Sequence, residues 1–363
     1  MNSALARVFI AFAILAAALS FPAQAEPYLA VGQGYKCIAC HVNPTGGGMR
    51  NAFGVVFSEN VLPAHILPQG APAWTGSIGD IVRLGGDLRE SWSRTEVPHQ
   101  AAQRSWGLDQ VRLYGDAQVI PDRLGVYVDE ALAPGNARIQ EAYVRYTDLR
   151  AVWYFKGGQF YLPFGWRLQD NSAFVREVSG INMATPDNGI EIGLESSEWS
   201  AQIALTNGSA NAGTGSGHQL TGQAVWVKPW GRVGAAAAFT NSNAGDRRVV
   251  GVFGGLRTGP LVWLGEADLV QDDGFPEGRR SLVAGLAEVD SGFRKGHNLK
   301  LTAESFDPDR HVREDQKARF SLVYEYTPLP FLQLRMGARR YQGIPQNDLD
   351  NRRLMFIEIH GFM

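Results

Sequence analysis

Both cysteines of this 363-residue chain lie in one short motif, Cys37-Ile-Ala-Cys40-His41. In a C-x-x-C-H pattern, the two thiols are spaced to add to the two vinyl groups of a porphyrin, and the adjacent imidazole then lies under the iron. A redox-active dithiol is the other use of this spacing, but it needs no histidine, and no βαβ pattern surrounds the motif. The sequence therefore predicts one covalently bound c-type haem, with Cys37 and Cys40 as thioether anchors and His41 as the proximal iron ligand.

Two residues near the motif are candidates for the second axial ligand. Met49 lies eight residues after His41, and eight residues can extend about 26 Å, enough to pass around a porphyrin edge. Gly46 to Gly48 supply the bend for such a path. His65 is the other candidate, and a residue inside the second domain or an open site is a third alternative. If neither residue binds iron, we expect Met49 to fill a gap in the core and His65 to be an exposed loop histidine.

The first 25 residues have the pattern of a secretory signal. Arg7 precedes an apolar run over 9–19, and Ala23-Gln24-Ala25 forms an A-x-A cleavage site. The run is too short for a membrane-spanning helix, so the pattern predicts export and a mature chain that starts at Glu26. The 34 basic residues nearly balance the 36 acidic ones, so nothing indicates a nucleic-acid partner.

From Gly79 onward the chain is typical of a transmembrane antiparallel β-barrel. It has no later run of 18 apolar residues, it is rich in glycine and aromatic residues, and short segments alternate between apolar and polar residues. A periplasmic β-rich domain is the alternative. We predict sixteen strands, at 79–93, 104–119, 123–132, 137–148, 151–160, 188–196, 198–206, 217–228, 231–240, 246–257, 260–270, 278–289, 293–306, 315–326, 330–341 and 350–362.

The predicted connections differ in length at the two ends of the barrel. Those after even-numbered strands are short turns such as Pro121-Asp122 and Pro229-Trp230, whereas those after odd-numbered strands are usually longer and polar. Outer-membrane barrels have short periplasmic turns and long outer loops. The pattern therefore predicts an all-β outer-membrane barrel of about 16 strands, in contact with lipid.

The longest predicted loop spans 161–187. Gly158-Gln159-Phe160 followed by Pro163-Phe164-Gly165 resembles a segment of general and phosphate-type porins, whose loop folds inward and narrows the pore. The resemblance implies that Arg167, Asp170 and Arg176 line a constriction, and the alternative is a solvated loop. In the last strand, alternation directs Met355, Ile357, Ile359 and Met363 to lipid, and Leu354, Phe356, Glu358 and His360 to the lumen.

The sequence thus divides into a signal peptide at 1–25, a monohaem cytochrome c segment with a linker at 26–78, and a porin-like barrel at 79–363. Pro63, Pro68 and Pro72 mark the linker. The haem segment has 53 residues, few enough to lie at least partly inside a sixteen-stranded barrel. We therefore expect it to plug or cap the lumen.

This arrangement resembles the fused outer-membrane cytochrome-porins, best known as ferrous iron oxidases. The residues that carry the resemblance are Cys37, Cys40 and His41 of the haem motif. It implies a location in the outer membrane of a Gram-negative bacterium, with electrons passing from extracellular Fe(II) to periplasmic carriers such as soluble cytochromes. Three alternatives remain: electron flow outward to an extracellular acceptor, a diffusion porin with a haem-bearing sensor or docking segment, and a structural sheath for multihaem partners.

Overall fold

The computed structural model describes residues 26–68, 70–71, 73–208, 217–243 and 245–363. The predicted signal peptide and Pro72 of the predicted linker lie outside these ranges. The described strands are β1 (Ser77–Ile78), β2 (Val82–Glu96), β3 (Gln103–Ile120), β4 (Leu124–Ala133), β5 (Arg138–Thr147), β6 (Trp153–Phe160), β7 (Asp187–Glu195), β8 (Trp199–Thr206), β9 (His218–Lys228), β10 (Gly231–Ser242), β11 (Gly245–Thr258), β12 (Leu261–Asp272), β13 (Arg280–Arg294), β14 (His297–Asp307), β15 (Lys317–Leu329), β16 (Leu332–Gln342) and β17 (Arg353–Phe362).

Strands β2 to β17 form a closed antiparallel barrel in which each strand pairs with its neighbours in sequence. The barrel closes because β17 pairs with β2, from Arg353 opposite Glu96 to Phe362 opposite Asp87. The prediction of sixteen barrel strands is confirmed, and the predicted bounds differ from the observed ones by a few residues. The short β1 is an additional strand that pairs with β2 just before the wall begins.

The two ends of the barrel differ in their connections, as predicted. Seven connections at one end are turns of two to five residues, whereas the loop between β6 and β7 at the other end covers 161–186. Two connections at the long-loop end are also short: β4 ends at Ala133 and β5 begins at Arg138, and β10 ends at Ser242 and β11 begins at Gly245. By analogy with outer-membrane barrels, the short turns mark the periplasmic end.

The outer face of the barrel is apolar. On β17, Met355 and Ile357 are about half exposed while Glu358 and His360 are buried in the lumen, which confirms the predicted alternation for these four residues. On β12, Trp263 faces outward and the side chains of Val262, Leu264 and Glu266 are buried inside.

Beside the short turns, the outer surface carries a band of exposed aromatic side chains. Its members include Tyr146, Trp153, Trp199, Trp230 and Phe293. Such a girdle is where a barrel meets the membrane interface. The closed wall, the apolar outer face and the girdle make this a membrane barrel in contact with lipid. Within the described residues, no helix has the length and apolar composition needed to cross a membrane.

The chain before the barrel lies inside the lumen, near the short-turn end. It contains helix α1 (Pro27–Gln33), a 3-10 turn (Cys37–Ala39) and helix α2 (Ala52–Asn60). We call residues 26–68 the N-terminal plug. Its bonds reach strands around most of the circumference. They include Asn43 Nδ2 to Glu141 (2.7 Å), Met49 N to the Tyr127 hydroxyl (2.9 Å), Arg257 Nη1 to the Gly32 carbonyl (3.0 Å), Tyr28 to Glu325 (3.1 Å) and Lys300 to Glu26 (3.1 Å).

The loop 161–186, here called the inward loop, fills a second part of the lumen and contains helix α3 (Phe174–Ser179). Its apolar side chains pack in one buried cluster with lumen-facing residues of the wall such as Phe253 and Leu264. The prediction that this loop folds inward is confirmed, and the alternative of a solvated loop is wrong. The loop is buried because its apolar residues find partners on the lumen face of strands β9 to β13.

Candidate functional site

The predicted haem motif forms a single compact turn in the N-terminal plug. Cys37–Ala39 is a 3-10 turn in which the backbone N–H groups of Cys40 and His41 both donate to the Cys37 carbonyl, at 3.1 and 3.0 Å. The tight turn brings the two thiols and the imidazole to one side of the plug, where all three residues line the same cavity. Both cysteines are free thiols.

Asn51 attaches this turn to helix α2. Its side-chain oxygen accepts the Gly54 N–H at 2.9 Å, which caps the helix, and its Nδ2 donates to the carbonyls of Ile38 (2.9 Å) and Ala39 (3.1 Å). Gly54 lets the helix approach closely, since a Cβ there would lie 2.2 Å from the Cys40 carbonyl oxygen. One N-cap residue therefore holds both the helix and the motif in position.

The glycine loop after the motif forms part of the cavity wall. Gly46, Gly47 and Gly48 all have positive φ angles, of 88°, 79° and 61°. A Cβ at Gly46 would lie 3.4 Å from the Cys37 sulfur, and one at Gly48 would lie 2.4 Å from the Tyr127 hydroxyl. The loop then returns through a β-bridge between His41 and Arg50. Glycine is required here for both backbone conformation and close approach.

His41 is almost completely buried, and its Nδ1 atom has no hydrogen bond of normal geometry. Burial lowers the pKa of His41 from 6.5 to about 4; Arg50 adds to this shift, and nearby backbone carbonyls of residues 47–49 partly oppose it. The imidazole is therefore neutral at neutral pH, which is the form that binds a metal. Burial raises the pKa of the Cys40 thiol.

The cavity beside the motif lies between the N-terminal plug, the inward loop and the wall. Its volume is about 840 Å³, including the part open to solvent. Tyr35 and Phe57 of the plug, Trp166 of the inward loop and Phe253 of β11 contribute aromatic surface. A cavity lined mostly by apolar and aromatic side chains with a few polar groups is typical of a cofactor site.

These residues fit a covalently attached haem. The two thiols and the neutral imidazole line one cavity with aromatic walls, and the buried His41 nitrogen lacks a partner. Among the residues that the structure describes, no three His, Cys, Asp or Glu side chains are grouped to hold a free metal ion. Iron in a porphyrin needs no such group, because the macrocycle supplies four of its ligands.

The two candidates for the second axial ligand do not line this cavity. Met49 is 3% exposed and belongs to the buried apolar cluster, and its backbone pairs with Val42. His65 is exposed at the short-turn end, where its N–H donates to the Pro328 carbonyl at 3.1 Å. Neither side chain is brought together with His41, so each stays a prediction.

The three predicted constriction residues lie in the inward loop, but their roles differ. Asp170 pairs with Arg319 (3.0 Å) and Arg339 (2.9 Å), and Arg176 pairs with Glu266 in a buried contact. Arg167 lines the cavity beside the haem motif and makes no ion pair among the described residues; it bonds Thr45 Oγ1 at 3.1 Å. Two of the residues therefore attach the loop to the wall, and the third belongs to the candidate site.

The sequence did not identify several residues of the site. Arg232, Val225 and Phe253 come from strands that lie far from the motif in sequence, and only the closed barrel brings them to it. Asn51 carried a detectable signal, since an asparagine before a short helical segment predicts an N-cap. No signal in the sequence distinguishes Arg50 from a basic residue on the solvated surface.

Comparison with known proteins supports the fold alone. No family model matches the sequence, and no curated protein matches it either. Among solved structures, the trimeric form of OmpT, an outer membrane protein of Vibrio cholerae, is 11% identical with a TM-score of 0.61, and the match covers 78% of this chain and 100% of that one.

Two further solved structures match with similarly low sequence identity and similar coverage. The anion-selective porin from Comamonas acidovorans is 10% identical, with a TM-score of 0.58 and coverage of 77% and 99%. The outer membrane channel DcaP of Acinetobacter baumannii is 11% identical, with a TM-score of 0.54 and coverage of 78% and 99%. The chain therefore has the fold of outer-membrane porins and channels, and its apolar outer face belongs in the outer membrane.

Proposed function

We propose that this protein is an outer-membrane monohaem cytochrome, and that it moves electrons from extracellular Fe(II) to carriers in the periplasm. The observation that carries the proposal is the common cavity of Cys37, Cys40 and His41 inside the lumen of a closed barrel. The site lies inside the lumen, toward the short-turn end of the barrel. A hydrocarbon core of about 25–30 Å would separate an outer donor from a haem left below the membrane.

Each residue of the motif has a defined role in this proposal. The Cys37 and Cys40 thiols would each add sulfur and hydrogen across one vinyl group, which forms a thioether and consumes no oxidant. The neutral His41 imidazole would donate its lone pair to the iron. When bound, the haem would supply one-electron redox chemistry between Fe(II) and a periplasmic carrier. The aromatic walls would reduce the contact of the bound group with water.

Ferrous iron is the proposed donor because the sequence resembles the cytochrome-porins. The reverse direction, toward an extracellular acceptor, uses the same residues. The sixth ligand also belongs to the proposal: Met49 would have to leave the apolar cluster to bind iron, and His65 would have to leave the rim.

The experiment begins with protein purified from outer membranes. A haem c absorption spectrum and an intact mass increased by one haem are expected. Adding Fe(II) to the oxidised protein should reduce it at a rate that depends on the Fe(II) concentration. A haem that exchanges electrons with periplasmic carriers but not with Fe(II) would exclude the iron donor and leave the cytochrome.

A cysteine variant tests the haem attachment itself. Cys37→Ala is expected to lose the bis-thioether spectrum, while Asp273→Asn in an exposed outer loop should keep it. A wild-type protein without covalent haem, or a Cys37→Ala variant with an unchanged bis-thioether spectrum, would overturn the proposal.

A diffusion porin is the second candidate, and the similarity to solved porins and channels favours it. The lumen, however, holds both the N-terminal plug and the inward loop. Liposomes that contain the protein are expected to swell slowly in a small neutral solute, well below the rate of an open porin. Swelling at open-porin rates by haem-free protein would favour the second candidate.

A further inference from the structure

Three arginines line the cavity beside the haem motif, and they come from three different parts of the fold. Arg50 follows the glycine loop, Arg167 lies in the inward loop, and Arg232 lies on β10. None of the three makes an ion pair with a described residue. They therefore bring three positive charges to one enclosed space.

Arg50 is the most isolated of the three. Its residue is 5% exposed, and both Nη1 and Nη2 are buried without a hydrogen-bond partner. Its guanidinium lies over the ring of Phe362, 5.2 Å from the centroid. Burial lowers the pKa of Arg50 to about 10, so it keeps its charge at neutral pH. A buried cation without a partner costs several kcal/mol, roughly, so the fold is stable only if something compensates for it.

The other two arginines bond only to neutral groups. Arg167 donates to the Leu162 carbonyl at 3.0 Å and to Thr45, and Arg232 donates to the Tyr35 carbonyl and contacts the Cys37 thiol. The Nε atom of each is buried and has no partner. Both guanidiniums thus retain donors for a further acceptor in the cavity.

Within the described lining of the cavity no carboxylate pairs with them, and the carboxylates that act on them, Asp87 on Arg50 and Glu141 on Arg167, lie outside the lining and form no ion pair with them. Glu26 is the one acidic residue among the described residues of its lining, and it pairs with Lys300 at 3.1 Å and Arg335 at 3.9 Å. Lys36, the remaining cation of the lining, already pairs with Glu195 at 2.7 Å. The unpaired charge therefore belongs to the three arginines.

We propose that Arg50, Arg167 and Arg232 form a binding site for the two propionate carboxylates of the haem, with Arg50 as the principal partner. This inference rests on the proposed function. Guanidinium groups suit this task because their planar fork of N–H donors matches the two oxygens of a carboxylate. The carboxylates would supply the anion that the buried Arg50 lacks.

Three variants test the assignment in full-length protein. Arg50→Gln is expected to lower the midpoint potential, because removing a nearby positive charge favours the ferric state. It should also shift the propionate-bending band of the resonance Raman spectrum. Arg50→Lys keeps the charge and should restore most of the potential but not the band. Arg257→Gln, which removes an exposed arginine that also contacts the N-terminal plug, should leave both unchanged.

The outcomes separate this inference from the proposed function. A wild-type protein that carries covalent haem, with an Arg50→Gln variant of unchanged potential and Raman band, would overturn the inference alone. A wild-type protein without haem would overturn both. If Arg50→Gln does not fold, Arg167→Gln and Arg232→Gln should show smaller shifts of the same sign, and unchanged values in both would also reject the site.

A free anion in solution could bind the three arginines in place of the haem propionates. Inorganic phosphate should not change the potential of the wild-type protein, since the propionates already occupy the arginines. A saturable shift with millimolar phosphate would show that the site takes a free anion instead and would overturn the assignment.

Discussion

The inward loop and the N-terminal plug fill the same lumen, yet two pairs of buried ionic groups, one pair in each, differ in their partners. In the loop, Asp170 and Arg176 each pair with opposite charges of the wall. In the plug, the guanidinium nitrogens of Arg50 and the Nδ1 atom of His41 are buried without partners beside a cavity. Asp170 and Arg176 therefore attach the loop to the wall, whereas on the proposed function Arg50 and His41 face the bound haem.

The largest expected effect compares two arginines under one substitution. Arg176→Gln leaves Glu266 and Asp268 buried without their cation and should destabilise the protein by about 3–5 kcal/mol. Arg50→Gln, in haem-free protein with both cysteines replaced, removes an unpaired charge and should be neutral or stabilising. Urea unfolding in detergent measures both. Arg279→Gln, in an exposed ion pair, is the control at about 0–1 kcal/mol. Equal losses of unfolding free energy in Arg176→Gln and Arg50→Gln would show that the inward loop and the N-terminal plug do not differ in this respect.

We expect the attachment of the inward loop to the barrel wall to weaken at low pH. Burial alone would raise the pKa of Asp170, but Arg339 and Arg319 more than offset this and hold the pKa well below its ordinary 3.8. Its contribution is therefore complete above pH 3.8 and is lost as the pH falls toward the lower folded-state pKa. Asp170→Asn should cost about 1.5–3 kcal/mol at pH 7 and raise single-channel conductance.

The control for this prediction is Asp273→Asn, which changes an exposed loop carboxylate and should leave the conductance as it is. An Asp170→Asn barrel that conducts no more than the wild type, at pH 7 and at pH 3, would show that the loop does not depend on this ion pair.

A substitution in the glycine loop is expected to change stability less than the substitutions at Arg176 and Asp170. Gly48→Ala places a Cβ 2.4 Å from the Tyr127 hydroxyl at a φ of 61°, so strain of about 1–2 kcal/mol is expected, together with a lower haem content. Gly107→Ala, where a Cβ meets no atom within 4 Å, is the matched control. Haem per protein, measured from absorbance, should fall only in the first variant; equal haem content in both would show that the loop tolerates a side chain.

The smallest effect is expected at the rim. His65→Ala should change stability by less than about 0.5 kcal/mol, because the side chain is exposed. Its haem spectrum and potential should match the wild type, since His65 does not line the cavity. A changed spectrum would establish His65 as the sixth ligand and extend the site to the rim.

The sequence predicted the barrel well because each strand carries a local signal. Alternation gave the strand faces, as at Ile357 and Glu358, and turn residues such as Pro229 gave the boundaries. The haem motif was equally local, since three residue types at fixed spacing define it.

The cavity around the motif could not be predicted in the same way. Arg232 meets Tyr35 only because the barrel closes around the plug, and no local pattern encodes that contact. Likewise, nothing in the sequence separates the paired Arg176 from the unpaired Arg167. Such contacts depend on register around the whole wall, and a shift of one residue would direct these side chains to lipid.

The shared walls of the cavity also constrain the order of maturation. Its lining joins the motif to Val225, Arg232 and Phe253 of three neighbouring strands and to Trp166 of the inward loop. A haem attached to Cys37 and Cys40 would therefore have to be in place before these strands close over it. Haem ligation would then come first, on an exported chain that is still open, and barrel assembly second, so that a chain without cofactor would be sealed in the haem-free form.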